Sequence, residues 1–159
     1  MGRHLPALAL TAAALLAACG REKPQAGPAA PPAAAAGELT PFELENGVGP
    51  ITQPVQLDDD IDQALAAKGK ALFETKCSAC HKLAERYVGP PLGEVTTRRT
   101  GAYIMNMILN PEGMYTRHPV AKQLLGEYMT QMPNLGVTQE EARQLLEYLR
   151  AQVTRKAGS

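Results

Sequence analysis

The sequence predicts an all-α domain, and three observations carry that expectation. Near the C-terminus, Thr138 and Glu141 stand as a capping box ahead of Ala142, Leu145, Leu146, Leu149 and Val153, which share one helical stripe. Upstream, Ile61, Leu65, Leu72 and Phe73 recur at helical spacing behind a run of aspartates. No segment alternates apolar and polar residues with the period of two that a half-buried strand requires.

The first element in chain order is an export signal over residues 1–18. Arg3 and His4 precede an apolar run from Leu5 to Leu16, too short to span a bilayer comfortably, and small residues follow. Leu16-Ala17-Ala18-Cys19 resembles a bacterial lipobox, which implies cleavage before Cys19 and lipid attachment to it; the alternative is an ordinary signal peptide with a chance cysteine. Residues 19–56 read as an Ala/Pro-rich tether. About 35 residues of such chain have a reach of about 35 Å when flexible, though the part from Phe42 to Val55 is less biased and could pack on the domain. Residues 57–159 form the domain.

Within it, a first helix is expected from the Asp58-Asp59-Asp60 cluster to about Cys77, because carboxylates suit a helix N-terminus. A second covers about 102–109 and is closed by Pro111, and a third covers about 120–129, where Val120, Leu124, Leu125 and Tyr128 share a face. The capped helix is last. With no Trp, five Tyr and two Phe, so small a domain is short of large core side chains, which favours a buried cofactor. The 16 Lys plus Arg offset the 16 Asp plus Glu, and no basic run provides a footprint for nucleic acid.

Cys77-Ser78-Ala79-Cys80-His81 carries the chemistry. Two thiols at this spacing can add to the two vinyl groups of one haem while the adjacent imidazole reaches its iron. A thioredoxin-type disulfide would need a strand before the motif, where a helical pattern stands instead. A closed zinc site would need two more ligands, and His118 is the one histidine left in the domain. With Cys19 lipidated, no odd thiol remains in an oxidising compartment.

On these residues the stretch from about 60 to 153 resembles the class I cytochromes c. Gly69, Phe73 and Cys77 are spaced as in that family's first helix, where the glycine permits a close crossing with the last helix, and Leu145 and Tyr148 are similar to the residues that meet it. The resemblance implies a small cytochrome c fold, helices wrapped around one covalent haem c, with Cys77 and Cys80 as thioethers and His81 as proximal ligand. It further implies that the Pro90 carbonyl, within Gly89-Pro90-Pro91-Leu92, accepts a hydrogen bond from His81. Arg98, within Thr97-Arg98-Arg99-Thr100-Gly101, is the candidate for a haem propionate; an exposed loop arginine is the alternative.

The sixth ligand remains open at this point. Met132, followed by Pro133 just before the capped helix, resembles the family's Met-Pro and is the first choice; Met129 is the second. Met105 and Met107 fall in an apolar helical stretch and Met114 is a further rival, while His118, a residue type expected at the surface before a proline, would give a bis-histidine haem. The function expected is outer-sphere electron transfer between transient redox-protein donors and acceptors, such as a respiratory reductase or oxidase. The carrier would be extracytoplasmic, lipid-anchored to a membrane, and without substrate turnover. A haem enzyme or gas sensor with an open sixth position, and a subunit permanently docked to a larger complex, are the rival readings.

Overall fold

The computed structural model describes residues 1–2 and 37–157; the apolar leader, the lipobox and Cys19 lie outside the described residues. Seven α-helices and no strand occur among the described residues: α1 Pro41–Asn46, α2 Gln63–Leu72, α3 Val95–Arg98, α4 Gly101–Leu109, α5 Pro111–Arg117, α6 Pro119–Tyr128 and α7 Gln139–Ala157. The fold is all-α.

Polar caps set the helix boundaries. Thr138 Oγ1 accepts from the Glu141 N–H at 3.1 Å while the Glu141 carboxylate accepts from the Thr138 N–H at 2.8 Å, a reciprocal box that starts α7. Helix α2 begins later than the aspartate cluster suggests. Asp62, not Asp58 to Asp60, is the N-cap, because its carboxylate reaches the Leu65 N–H at 2.9 Å; the Asp58 carbonyl instead accepts from Arg150. Pro111 and Pro119 each sit at the first position of a helix and divide the run after α4 into α5 and α6.

Helix α2 passes without a break into one wider π turn, Phe73–Cys77, closed by the Ser78 N–H on the Phe73 carbonyl at 2.8 Å. Thr75 Oγ1 donates to the Ala71 carbonyl and Ser78 Oγ to that of Glu74, so side-chain hydroxyls occupy backbone acceptors where the helix widens. The widened turn delivers the chain to Cys77.

The crossing of α2 with α7 organises the core. A Cβ at Gly69 would lie 2.0 Å from the Gln144 carbonyl oxygen and 2.9 Å from the Tyr148 Cβ, so the contact requires glycine. Beside it the Phe73 and Tyr148 rings meet at a tilt of 49° with centroids 5.3 Å apart, and Leu145, Leu146, Leu149, Ala142 and Ile104 belong to the same buried cluster. Glu147 is 1% exposed on α7, and its charge is met by Arg143 and by Arg150 at 2.7 Å.

The N-terminal segment differs from the expected tether. From Gly37 to about Val55 it packs as a strap: α1 is started by a Thr40–Glu43 capping box, and Val48 and Ile51 are buried in two apolar clusters. The folded unit thus begins at Gly37, not at residue 57. Its prolines are compatible with packing, because Pro41 occupies the first helical position and backbone groups at Val48 and Ile51 are bonded by side chains from later helices. Asn106, fully buried on α4, accepts from the Ile51 N–H at 2.9 Å and donates to the carbonyls of Asn46 and Ile51 at 3.0 Å each. Asn110 Nδ2 donates to the Val48 carbonyl at 3.0 Å, and Arg117 pairs with Glu43 at 3.1 Å.

Replacing Asn106 by Ala strands three buried backbone groups, each worth about 1 kcal/mol. Asn106→Ala should therefore lose roughly 3 kcal/mol in urea denaturation, with the Ile51 amide exchanging faster than the amides of α7. An Ile51 amide protected as in the parent protein would contradict this role for Asn106.

Candidate haem-attachment site

Cys77 ends the π turn, and the chain then folds tightly on itself. The N–H groups of Cys80 and His81 both donate to the Cys77 carbonyl, at 3.0 and 2.9 Å. This turn brings both thiols and the imidazole into one short stretch. Cys77 and Cys80 are half-buried free thiols, without a disulfide between them. Burial pushes the Cys77 thiol above its ordinary pKa; neighbouring Lys76 opposes the shift and Cys80 adds to it, so the group is held as a thiol.

The following loop comes back over the motif. The Gly89 N–H donates to the Cys80 carbonyl at 2.8 Å, Leu92 to Lys82 at 2.9 Å and Gly93 to Leu83 at 2.8 Å. In this returned position the Pro90 carbonyl accepts from His81 Nδ1 at 2.9 Å. A carbonyl can only accept, so Nδ1 carries the proton and Nε2 presents a lone pair. Burial lowers the His81 pKa, with the Pro90 carbonyl acting the other way, and the net effect keeps the ring in the neutral form that binds metal. The ring lies against Gly89: a Cβ there would come 2.4 Å from Cε1 and 2.8 Å from Nδ1.

Two half-buried thiols beside a neutral imidazole with one free nitrogen fit a c-type haem. Among the described residues no group of three or more His, Cys, Asp or Glu could hold a metal ion by itself, and helical structure, not a strand, leads into Cys77. Arg98 is exposed at the end of α3, where its Nη2 donates to the Pro91 carbonyl at 3.1 Å, beside the loop that carries Pro90.

The methionines fall in different environments. Met105 is 2% exposed in the main core, Met107 packs on the second apolar cluster, and Met114 is fully buried with its Sδ accepting from the Val48 N–H at 3.0 Å. Met129 closes α6 in the left-handed region at φ 53° and is 83% exposed. Met132 is half-buried in the loop between α6 and α7, and its N–H donates to Tyr115 Oη at 2.6 Å. His118 corrects the expectation of a surface residue. It is 1% exposed, its Nε2 donates to the Leu44 carbonyl at 3.1 Å, and its ring meets Tyr103 edge-on at 5.2 Å, so it fastens the strap.

Several residues around the motif escape a reading by sequence pattern. Lys76 Nζ donates to the Leu135 carbonyl at 3.4 Å and links the π turn to the Met132 loop. Arg86 lies 4.1 Å over the Tyr128 ring and pairs with Glu127 at 3.0 Å, holding the returning loop against the end of α6. Both contacts join residues more than 40 positions apart, and only the three-dimensional path brings them together.

Comparison with known proteins agrees with this geometry. The family profile described as Cytochrome c matches residues 66–152. A solved cytochrome c from Rhodothermus marinus is 50% identical, aligns over 73% of this chain and 99% of its own, and superposes with a TM-score of 0.69. The chain is 32% identical to cytochrome c-551 of Stutzerimonas stutzeri over 93 residues, 54% of this chain and 78% of that protein. It is also 32% identical to a cytochrome c-553-like protein of Synechocystis over 62 residues, 35% of this chain and 59% of that relative's length.

The contact between Gly89 and His81 makes a specific expectation. Gly89→Ala should tilt or displace the imidazole and cut the yield of mature haem-stained protein several-fold, while Gly126→Ala, where a Cβ meets nothing within 4 Å, should leave it unchanged. Equal haem yields from the two variants would contradict the close approach.

Proposed function

The chain belongs to the cytochrome c family, and on that footing we propose that it is a membrane-tethered, monohaem electron carrier that works outside the cytoplasm. The observation that supports this best is the arrangement at the motif: free Cys77 and Cys80 beside a His81 whose Nδ1 is committed to Pro90. Cys77 and Cys80 hold the haem c through thioethers, and the bound group supplies a one-electron couple. His81 is the proximal ligand, oriented by Pro90, whose carbonyl also raises the imidazole's basicity. Arg98 pairs with a propionate, offering a fixed cation beside the proximal loop.

Met132 is the distal ligand. Its half-burial supports it over Met129, which is 83% exposed, and over Met105 and Met114, which are enclosed in apolar packing. A thioether closes the coordination shell against oxygen and favours the ferrous state, which suits a carrier more than a gas-binding enzyme. Residues 1–18 are the export signal, Cys19 bears the lipid, and the chain from there to about Ala36 is the tether that lets the domain meet redox-protein donors and acceptors transiently, a respiratory reductase or oxidase among them. The balanced net charge leaves nucleic acid without a footprint.

Met132→Ala tests the ligand. The oxidised protein should lose its weak red-edge sulfur band, the reduced protein should bind carbon monoxide, and the potential should fall by on the order of 100 mV. Met129→Ala should change none of these; an exchange of phenotypes between the two variants would move the assignment to Met129.

Cys19→Ser tests the anchor. The variant should leave the membrane fraction with its spectrum unaltered, since lipid and haem are attached at separate places. Retention on membranes after a high-salt wash would contradict lipid anchoring at Cys19.

A further inference from the structure

The loop that carries Met132 has little structure of its own. Between the end of α6 and the Thr138 cap, Gly136 N–H bonds to Asn134 Oδ1 at 3.0 Å, and Lys76 reaches the Leu135 carbonyl at 3.4 Å. Neither bond touches Met132. The phenol of Tyr115, 17 residues earlier on α5, does: its Oη accepts from the Met132 N–H at 2.6 Å. On the other side Pro133 disfavours helical backbone at Met132 and removes the next N–H. The main chain at Met132 is thus constrained on both sides.

Tyr115 is itself held firmly. It packs against the apolar cluster of Val48, Tyr103, Met114 and Ala121. Its neighbour Met114 is fully enclosed beneath the strap and accepts from the Val48 N–H, while the α5 N-cap Asn110 donates to the Val48 carbonyl. The Arg117–Glu43 ion pair ties the far end of α5 to the strap. A rigid helix therefore presents one oxygen to an otherwise loosely tied loop.

We propose that Tyr115 is a positioning residue for the sixth ligand: its phenol oxygen holds the Met132 backbone so that the thioether stays on the haem iron. This rests on the reading of Met132 as the distal ligand. A part-buried hydrogen bond of this kind shifts an equilibrium between ligand-on and ligand-off loop positions roughly five- to tenfold. Tyr115 touches neither iron nor substrate, so its effect is on how often the sixth position opens.

The test is imidazole titration of the oxidised holoprotein, because added imidazole binds iron only when the sixth position is free. Tyr115→Phe removes one oxygen and keeps the ring. It should raise the apparent imidazole affinity roughly five- to tenfold, with the red-edge sulfur band retained before imidazole is added. Val120→Ala, which trims the same apolar cluster, should lower thermal stability and leave imidazole affinity at the parent value. Met132→Ala should open the site fully. Parent affinity in Tyr115→Phe beside an open site in Met132→Ala would overturn the role of Tyr115 alone, as would equal gains in Tyr115→Phe and Val120→Ala, which would reduce it to packing. A Met132→Ala protein with its sulfur band intact would overturn the ligand assignment and this proposal with it.

Discussion

At Gly69 the backbones of α2 and α7 approach so closely that one added carbon would lie 2.0 Å from the Gln144 carbonyl oxygen, and much of the molecule follows from that approach. It fixes the axis of α2 against a 19-residue helix whose buried face combines Ala142, Leu145, Leu146, Tyr148 and Leu149 with the polar Gln144 and Glu147. Because α2 leads without interruption through the π turn into Cys77, locking α2 also locks the start of the attachment motif. The tilted Phe73 and Tyr148 ring pair extends the contact by one turn toward the thiols. A pair of thiols and an imidazole can thus wait in a defined geometry although the segment that carries them is short and only half-buried.

The second constraint is the strap. Its backbone has no sheet or long helix to satisfy it, so side chains from α4 and the helices after it take that role: Asn106, Asn110, Met114 and His118 each bond to a main-chain group between Leu44 and Ile51. The same residues lie on the elements that lead to the Met132 loop. Strap, α5 and loop form a continuous chain of contacts, while Lys76 joins that loop back to the π turn. The loop that carries Pro90 and the loop that carries Met132 are therefore braced by different parts of one framework.

Much of this is legible in the sequence, for reasons that differ by element. The α7 capping box and its stripe are local signals, and so are the CxxCH spacing and the proline that closes α4. The glycine at 69 is legible through resemblance, since its reason lies in α7, 75 residues away. The strap is legible only in part: the weaker bias from Phe42 to Val55 allows it to pack, as it does, but the capping box Thr40-Pro41-Phe42-Glu43, with proline at its favoured first position, is the same signal that locates α7 and passes unread inside an Ala/Pro-rich stretch. The buried state of His118 and the reach of Tyr115 to Met132 are set by tertiary packing alone. A polar Asn106 within the apolar run of α4 is the one local hint that something must pair with it.

The family assignment and the free thiols at Cys77 and Cys80 lead to one chemical statement, that the mature chain carries a single haem through covalent bonds. An alkaline pyridine haemochrome spectrum of the purified holoprotein, taken after acidified-acetone extraction, tests it most directly. A c-type spectrum that remains with the polypeptide at one haem per chain is the predicted result. Haem that partitions into the solvent, or a mature protein whose Cys77 and Cys80 are joined in a disulfide, would contradict it.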